Sequence, residues 1–250
     1  QADSVSFGYD GTPVLHAVSL NAPRGQRLGI LGPNGSGKTT LLRLLAGFVR
    51  PEAGQVLLGG NAISRLPRAA VARRMALVPQ ETHLAFDYSV IEIALMGRYP
   101  YLAPLEFEGP QDLAIARDAL RATGTDKLED RSFTTLSGGE KQRVIIASAL
   151  AQLTPAKVAV STAVDSVLLL DEPTASLDLG YQLELVSTLR TLNQDRPITM
   201  VVSTHDLNFA ASLCHELVLL RDGRVIATGP TESVLTRANI RALYDVDVDI

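Results

Sequence analysis

The chain has 250 residues, 46% of them hydrophobic and 20% charged, with a formal net charge of −4. That length can bury a large core, and the acidic balance argues against a broad nucleic-acid surface, which needs clustered Lys and Arg. The single cysteine, Cys214, excludes an internal disulfide framework and is expected to be a small buried hydrophobe.

No apolar run reaches the roughly 18 residues that read as a bilayer span. The start, "QADSVSFGYDG", carries no basic segment ahead of an apolar one, so no signal peptide is expected. It also lacks a methionine, so a few native residues are expected to precede it. The reading is a soluble, cytoplasmic protein whose membrane role, if it has one, runs through a partner.

In chain order, "DSVSFGY", "LHAVSL" and "QRLGIL" read as short strands, and "GQVLLGG" as another after an intervening helix. "LHAVSL" alternates as a half-exposed antiparallel strand does, whereas "RLGIL" ends in continuous apolar residues suited to a buried strand. "KTTLLRLLAG" has leucines at helical spacing and a glycine stop. From 82 to 152 the strand signals vanish, and helical patterns cover about 90–97, 111–123 and 138–152. Alternation then resumes with "VLLLDEP", the helix "LGYQLELVSTLRTLNQ", "ITMVVSTH" and a helix from Asp206. Asp222-Gly223 between two apolar runs is the strongest short hairpin signal in the chain. The layout is an α/β core interrupted by an inserted helical unit.

Between strand and helix lies Gly32-Pro33-Asn34-Gly35-Ser36-Gly37-Lys38-Thr39, followed by Thr40. It fits the phosphate-loop pattern G-x-x-x-x-G-K-[ST] at every defined position. Glycines let successive N–H groups converge on phosphate oxygens, and the helix N-terminus adds partial positive charge. Lys38 can reach the β- and γ-phosphates of a nucleotide, and the Thr39 hydroxyl suits Mg²⁺. The competing reading is a glycine-rich turn with no ligand.

"VLLLDEP" is a buried strand ending in two carboxylates, which is costly unless they are paired or bind metal. Asp171 is placed to hold Mg²⁺, directly or through water, and Glu172 to act as the base that polarises an attacking water. An acidic helix cap is the alternative. His205 ends "ITMVVSTH", another buried strand, where it could orient the water or contact the γ-phosphate; a satisfied hydrogen-bonding histidine is the alternative. His16, His83 and His215 take that plainer reading. Ser137 and Glu140 of "LSGGE" form a capping box, with Val144, Ile145, Ala149 and Leu153 as the buried side of its helix. Caps do not require two consecutive glycines, each costing about 1 kcal/mol against alanine. Close approach of another molecule to the backbone would explain both.

Together "GPNGSGKTT", "LSGGEKQR", "LLLDEPTASLD" and "STHD", in that order, resemble the ATP-binding cassette (ABC) ATPase family over essentially the whole chain. The resemblance implies a RecA-like P-loop NTPase core with an antiparallel β subdomain, 1–81 and 153–250, and an inserted α-helical signature subdomain, 82–152. It implies ATP and Mg²⁺ as cofactors and identifies His205 with the family's switch histidine. Tyr9 in "FGYDG" looks like the aromatic that stacks on adenine, with a hairpin-core aromatic as its alternative. Gln80 resembles the glutamine that senses Mg²⁺ and the attacking water. Asp178 resembles the loop that couples two active sites across a dimer. Ser137, Gly138 and Gly139 would touch a γ-phosphate bound by the other protomer of a homodimer.

"FDYSVIEIALMGRYPYL" and the closing "NIRALYDVDVDI" are similar to importer ATPases for iron–siderophores, haem and cobalamin. That implies an integral membrane permease as partner, a periplasmic or surface substrate-binding protein acting indirectly, and a peripheral place on the cytoplasmic face of the membrane. The stretch 82–101, with Ile91 and Tyr99, would meet the permease. A departure is "LTPAKVAVSTAVDS", residues 153–166, longer than the usual link; haem importers are the favoured home for it. The alternatives are a cassette importing another nutrient such as a metal ion, and a soluble ABC ATPase outside transport. The latter tends to carry tandem cassettes, coiled-coil arms or basic surfaces. A generic P-loop NTPase is opposed by "LSGGEKQR".

Overall fold

The computed structural model describes residues 1–82, 84–155, 166–175 and 177–247. The chain opens with strands β1 (Ala2–Tyr9) and β2 (Thr12–Leu20), followed by β3 (Arg27–Leu31), helix α1 (Lys38–Leu45), β4 (Ala53–Leu58) and β5 (Asn61–Ala62). Asp10 and Gly11 join β1 to β2 at φ 49° and 78°, the paired positive values of a type I′ turn that matches strand twist. Next come the short α2 (Arg68–Ala72) and β6 (Met75–Val78), then three helices, α3 (Val90–Met96), α4 (Pro110–Ala122) and α5 (Gly138–Leu153). The remainder is β7 (Val167–Asp171), α6 (Leu179–Asp195), β8 (Thr199–Thr204), α7 (Leu207–Leu213), β9 (Glu216–Arg221), β10 (Arg224–Pro230), α8 (Thr231–Val234) and α9 (Arg237–Tyr244).

Two sheets result. One is four-stranded and antiparallel, in the order β2-β1-β4-β5. The other has six strands, β10-β9-β3-β8-β7-β6, parallel except for the β9–β10 hairpin at its edge. As expected for parallel strands buried on both faces, the central strands β3, β7, β8 and β9 are largely buried and carry apolar runs. Successive side chains alternate between two cores. Leu28, Ile30, Leu169, Val201, Val218 and Leu220 meet Leu41, Leu42, Leu44 and Leu45 of α1 and the inner face of the small sheet. Leu31, Leu168, Leu170, Met200, Val202, Leu217 and Leu219 face the core shared with α3, α5, α6 and α7. Helix α1 is thus held between two sheets, and its N-terminus is fixed at the sheet's carboxyl edge.

Helices α3 and α5 both begin with a capping box, Ser89 with Glu92 and Ser137 with Glu140. Ile145 is only half-buried on α5, and Ile146, Ala147, Leu150 and Ala151 are buried beside the expected Val144, Ala149 and Leu153. The helix is enclosed on most of its circumference, not along one stripe. Cys214 is buried, which pushes its thiol pKa to about 12 and leaves it an inert apolar group. Most of the long link, 156–165, together with His83 and 248–250, lies outside the described residues.

Candidate nucleotide site

The site sits at the carboxyl ends of adjacent parallel strands, where open α/β sheets place ligands. Register decides which residues meet: Leu31 of β3 pairs with Thr204 of β8, and Ser203 of β8 pairs with Asp171 of β7. Beyond those partners lie the phosphate loop, Glu172 and His205. β6 adds the next strand end, with Val78 opposite Leu170 and Gln80 two residues on. The small sheet contributes Tyr9 and Val14. Tyr9, Val14, Lys38, Gln80, Glu172 and His205 line one cavity of about 560 Å³, with Asn34, Gly35, Gly37, Thr39, Thr40 and Ala175; Asp171 lies just behind it. Tyr9 is 40% exposed and edge-on to Phe7, so it is a rim aromatic, not a hairpin-core residue.

The phosphate loop runs from Gly32 into α1, with Gly37 at the N-cap. Its φ of 101° is a conformation that L side chains rarely adopt, so the tight entry into the helix requires glycine. Lys38 is 4% exposed, and its amino group donates to Gly32 O at 2.8 Å and Pro33 O at 3.0 Å. The same nitrogen lies 3.1 Å from Glu172 Oε1. Ser36 is buried and its Oγ has no hydrogen-bond partner. An orphaned buried hydroxyl in a loop of backbone donors is what a phosphate oxygen would satisfy.

Asp171 Oδ1 accepts from Thr39 Oγ1 at 3.1 Å and from Ser203 Oγ at 2.6 Å. Thr39 and Asp171 form an all-oxygen pair, the chemistry a hard cation prefers. No cluster of three His, Cys, Asp or Glu side chains able to hold a metal occurs among the described residues. A Mg²⁺ bound through one or two protein oxygens and the substrate's phosphates does not need one.

Glu172 has φ 43°, an uncommon conformation for a residue with a side chain. Its N–H donates to Ser203 O at 3.1 Å and to Ser203 Oγ at 3.0 Å. This backbone turn lets the buried carboxylate span two cations or donors, Lys38 through Oε1 and His205 Nδ1 through Oε2 at 2.9 Å. An ionised Glu172 can only accept, so His205 carries its proton on Nδ1 there.

Ser137, Gly138 and Gly139 do not line this cavity. Ser137 caps α5, accepting from Glu140 N at 3.3 Å while its own N–H donates to Glu140 Oε2 at 2.8 Å. Those bonds hold the Glu140 carboxyl below its usual range. The sequence pattern points to the approach of another molecule for both glycines, and the fold adds a second constraint on one of them. A Cβ on Gly139 would stand 2.7 Å from the Tyr181 ring, so that glycine is required by packing within the chain. Gly138 is exposed and opens onto a neighbouring cavity of about 310 Å³, which also reaches Gln80 and Glu172. Asp178 caps α6 by accepting from Tyr181 N at 3.1 Å, which seats the same tyrosine under α5.

The family described as ABC transporter matches residues 15–175. The chain belongs to the ABC transporter family. It is 41% identical over 240 residues to the cobalamin import ATP-binding protein BtuD of Halobacterium salinarum, covering 96% of this chain and 57% of that one. It therefore spans little more than half the length of that relative. It is 40% identical over 250 residues to the hemin import ATP-binding protein HmuV of Bordetella pertussis, covering 100% and 93%. Among solved structures, one described as a metal-chelate type ABC transporter in an inward-facing conformation superposes with a TM-score of 0.83 at 31% identity, covering 98% of this chain and 88% of that one. A dimeric bacterial ABC transporter cassette superposes with a TM-score of 0.76 at 26% identity, covering 92% and 97%.

Within this ABC cassette, sequence reasoning missed Ser203. It is fully buried and bonded to both residues of the acidic strand end. The signal was a hydroxyl directly after the run "ITMVV" on a buried strand, where a polar group must find a partner.

Proposed function

We propose that the chain is the ATP-hydrolysing subunit of an importer, working as a homodimer beneath a separate integral membrane permease. The observation carrying this reading is the single cavity that gathers Tyr9, Lys38, Thr39, Gln80, Glu172 and His205, while the signature residues lie outside it. Residues 1–81 and 153–250 act as the nucleotide-binding core and 82–152 as the helical unit. Tyr9 stacks on adenine, the loop amides with Ser36 receive phosphate oxygens, and Lys38 neutralises the β- and γ-phosphates. Mg²⁺, held by Thr39 and Asp171 with Gln80 at the rim, would supply further charge neutralisation on the phosphates. Glu172 takes the proton of the attacking water, and His205 orients its carboxylate. Ser137, Gly138 and Gly139 close over a nucleotide held by the partner, and Asp178 links the two sites.

No helix among the described residues is long and apolar enough to cross a membrane. A transport path must then come from the permease, with the cassette peripheral on its cytoplasmic side. The names of the relatives, which include a probable siderophore transport system ATP-binding protein of Bacillus subtilis, favour haem, cobalamin or an iron–siderophore as cargo, delivered by a periplasmic or surface binding protein. The test is reconstitution of the cassette with its permease in vesicles, with each of those cargoes offered in turn. ATP-dependent uptake of one of them, lost with Glu172→Gln, is the expected result. A complex that hydrolyses ATP yet moves none would overturn the cargo class; a chain that neither binds nor hydrolyses ATP would overturn the whole reading.

A further inference from the structure

His205 occupies the joint between β8, which ends at Thr204, and α7, which starts at Leu207. The joint is braced locally: Asp206 N donates to Thr204 Oγ1 at 3.0 Å, and the Asp206 carboxylate caps α7 through Asn208 N and Phe209 N. A further bond comes from far along the chain. Tyr244 Oη donates to the main-chain carbonyl of His205 at 3.0 Å. Tyr244 is the last residue of α9, within the closing stretch "NIRALYDVDVDI", and lies outside the segment matched by the family.

Helix α9 is a firm base for that bond. Ile240 and Leu243 are buried, and Tyr244 packs against the larger core. Thr236 caps the helix by accepting from Asn239 N, the Asn239 amide donates to Val234 O at 2.8 Å, and the Arg221 guanidinium donates to Ala242 O. The hydroxyl thus transmits the position of the C-terminal helix to the one peptide group that carries the switch histidine.

We propose that Tyr244 is a positioning residue for ATP hydrolysis, pinning the His205 carbonyl so that the imidazole meets Glu172. This rests on the roles given above to Glu172 and His205. A bond to the carbonyl restrains the His205 main chain, and side-chain direction follows the backbone. The His205 Nδ1 to Glu172 Oε2 bond, 2.9 Å, depends on that direction being kept while half of the ring's surface stays open to solvent. Burial first, then the negative charges of Asp206 and Glu172, push the Tyr244 pKa to about 12, so the hydroxyl remains a donor at neutral pH.

Tyr244→Phe keeps the ring and removes only the donor. In the full-length chain its kcat should fall about three- to tenfold, the kinetic equivalent of one ordinary hydrogen bond, with KM for ATP unchanged. Its Tm should stay within about 2 °C. In ¹⁵N-histidine spectra the His205 Nδ1 proton should exchange faster with water, since its bond to Glu172 is loosened. A Tyr244→Phe protein with normal kcat beside a crippled His205→Ala protein overturns the positioning role alone. A slow Tyr244→Phe protein whose His205 signals are unchanged also overturns it, because the effect then runs elsewhere. Full turnover by His205→Ala removes the histidine from the machinery and the proposal with it.

Discussion

Lys38 Nζ lies 3.1 Å from Glu172 Oε1, so the phosphate lysine and the proposed base share one buried ion pair. On the proposed reading, a nucleotide phosphate would compete with Glu172 for that ammonium and release the carboxylate to water. Binding and activation of the base would then be coupled through a single contact.

Glu172→Gln should therefore do three separable things. Hydrolysis should slow on the order of 10²–10⁴-fold, the usual share of a general base. ATP should bind at least as tightly, because Lys38 no longer has a competing carboxylate. Without nucleotide the variant should lose about 2 kcal/mol, less than a full loss of one partner because glutamine still accepts a hydrogen bond. Thermal melts with and without ATP measure the second effect, and light scattering should show an ATP-stabilised dimer. Normal turnover would remove Glu172 as base, and weaker ATP binding would remove the competition.

The proposed permease-facing surface can be probed at two exposed aromatic residues. Phe48 is 70% exposed beside a 450 Å³ groove lined by Val49, Val71, Met75, Leu77 and Gln152, and Tyr99 is 58% exposed near α2. Ile91, in contrast, packs against the larger core, so a charge there would confound docking with folding. Phe48→Glu and Tyr99→Glu should leave Tm and ATP binding by the isolated cassette unchanged and abolish co-purification with the permease. Stable assembly and transport by both variants would place the docking surface elsewhere.

Much of this site was legible because its signals are local. The apolar strand, glycine loop and leucine-spaced helix around Lys38 are set by residues within a few positions of one another, as is the Ser137–Glu140 box. The strand ends at Asp171 and His205 were readable for the same reason. What pairs with them was not. The bonds from Ser203 to Asp171 and Glu172 depend on β7–β8 register, and the Tyr244 bond spans 39 residues of sequence. Met75–Val78 is four apolar residues long, too short for periodicity to separate a strand from a helix turn. The packing constraint on Gly139 was not legible either, because the ring it accommodates, Tyr181, comes from α6.

His215 gives a pH dependence far from the chemistry. Its Nε2 accepts from the Arg27 guanidinium at 2.7 Å, with Arg190 and Glu216 as the other charges that act on it. Burial, then Arg27, lowers its pKa from 6.5. A depressed folded-state value means that the unfolded chain takes up the proton first. The stability is present above the unfolded value near 6.5 and is lost as pH falls from there through the folded one. His215 is largely exposed, so the loss should be small, under about 2 °C in Tm. Melts of the unsubstituted chain and His215→Asn across pH 7.5 to 5 should converge at the acid end. Parallel curves would show that this histidine does not titrate differently on folding.

The two stretches proposed to hold phosphate, one at Lys38 and one at Ser137, do not share a cavity within the chain. If each ATP is held by one chain's phosphate loop and the other's signature, two crippled proteins should complement each other. Lys38→Ala removes the phosphate lysine, and Ser137→Arg places bulk where a neighbour's γ-phosphate should sit. Each mutant homodimer then has two damaged sites. In a linked mixed dimer one site collects both lesions and the other takes its loop and its signature from unmutated stretches. That site should occlude ATP. Occlusion must be scored beside turnover, since hydrolysis can require both sites to cooperate. Were both stretches to serve the same ATP within one chain, mixing would restore nothing. A linked mixed dimer that occludes no ATP, while the linked unmutated dimer does, would sink the two-chain arrangement.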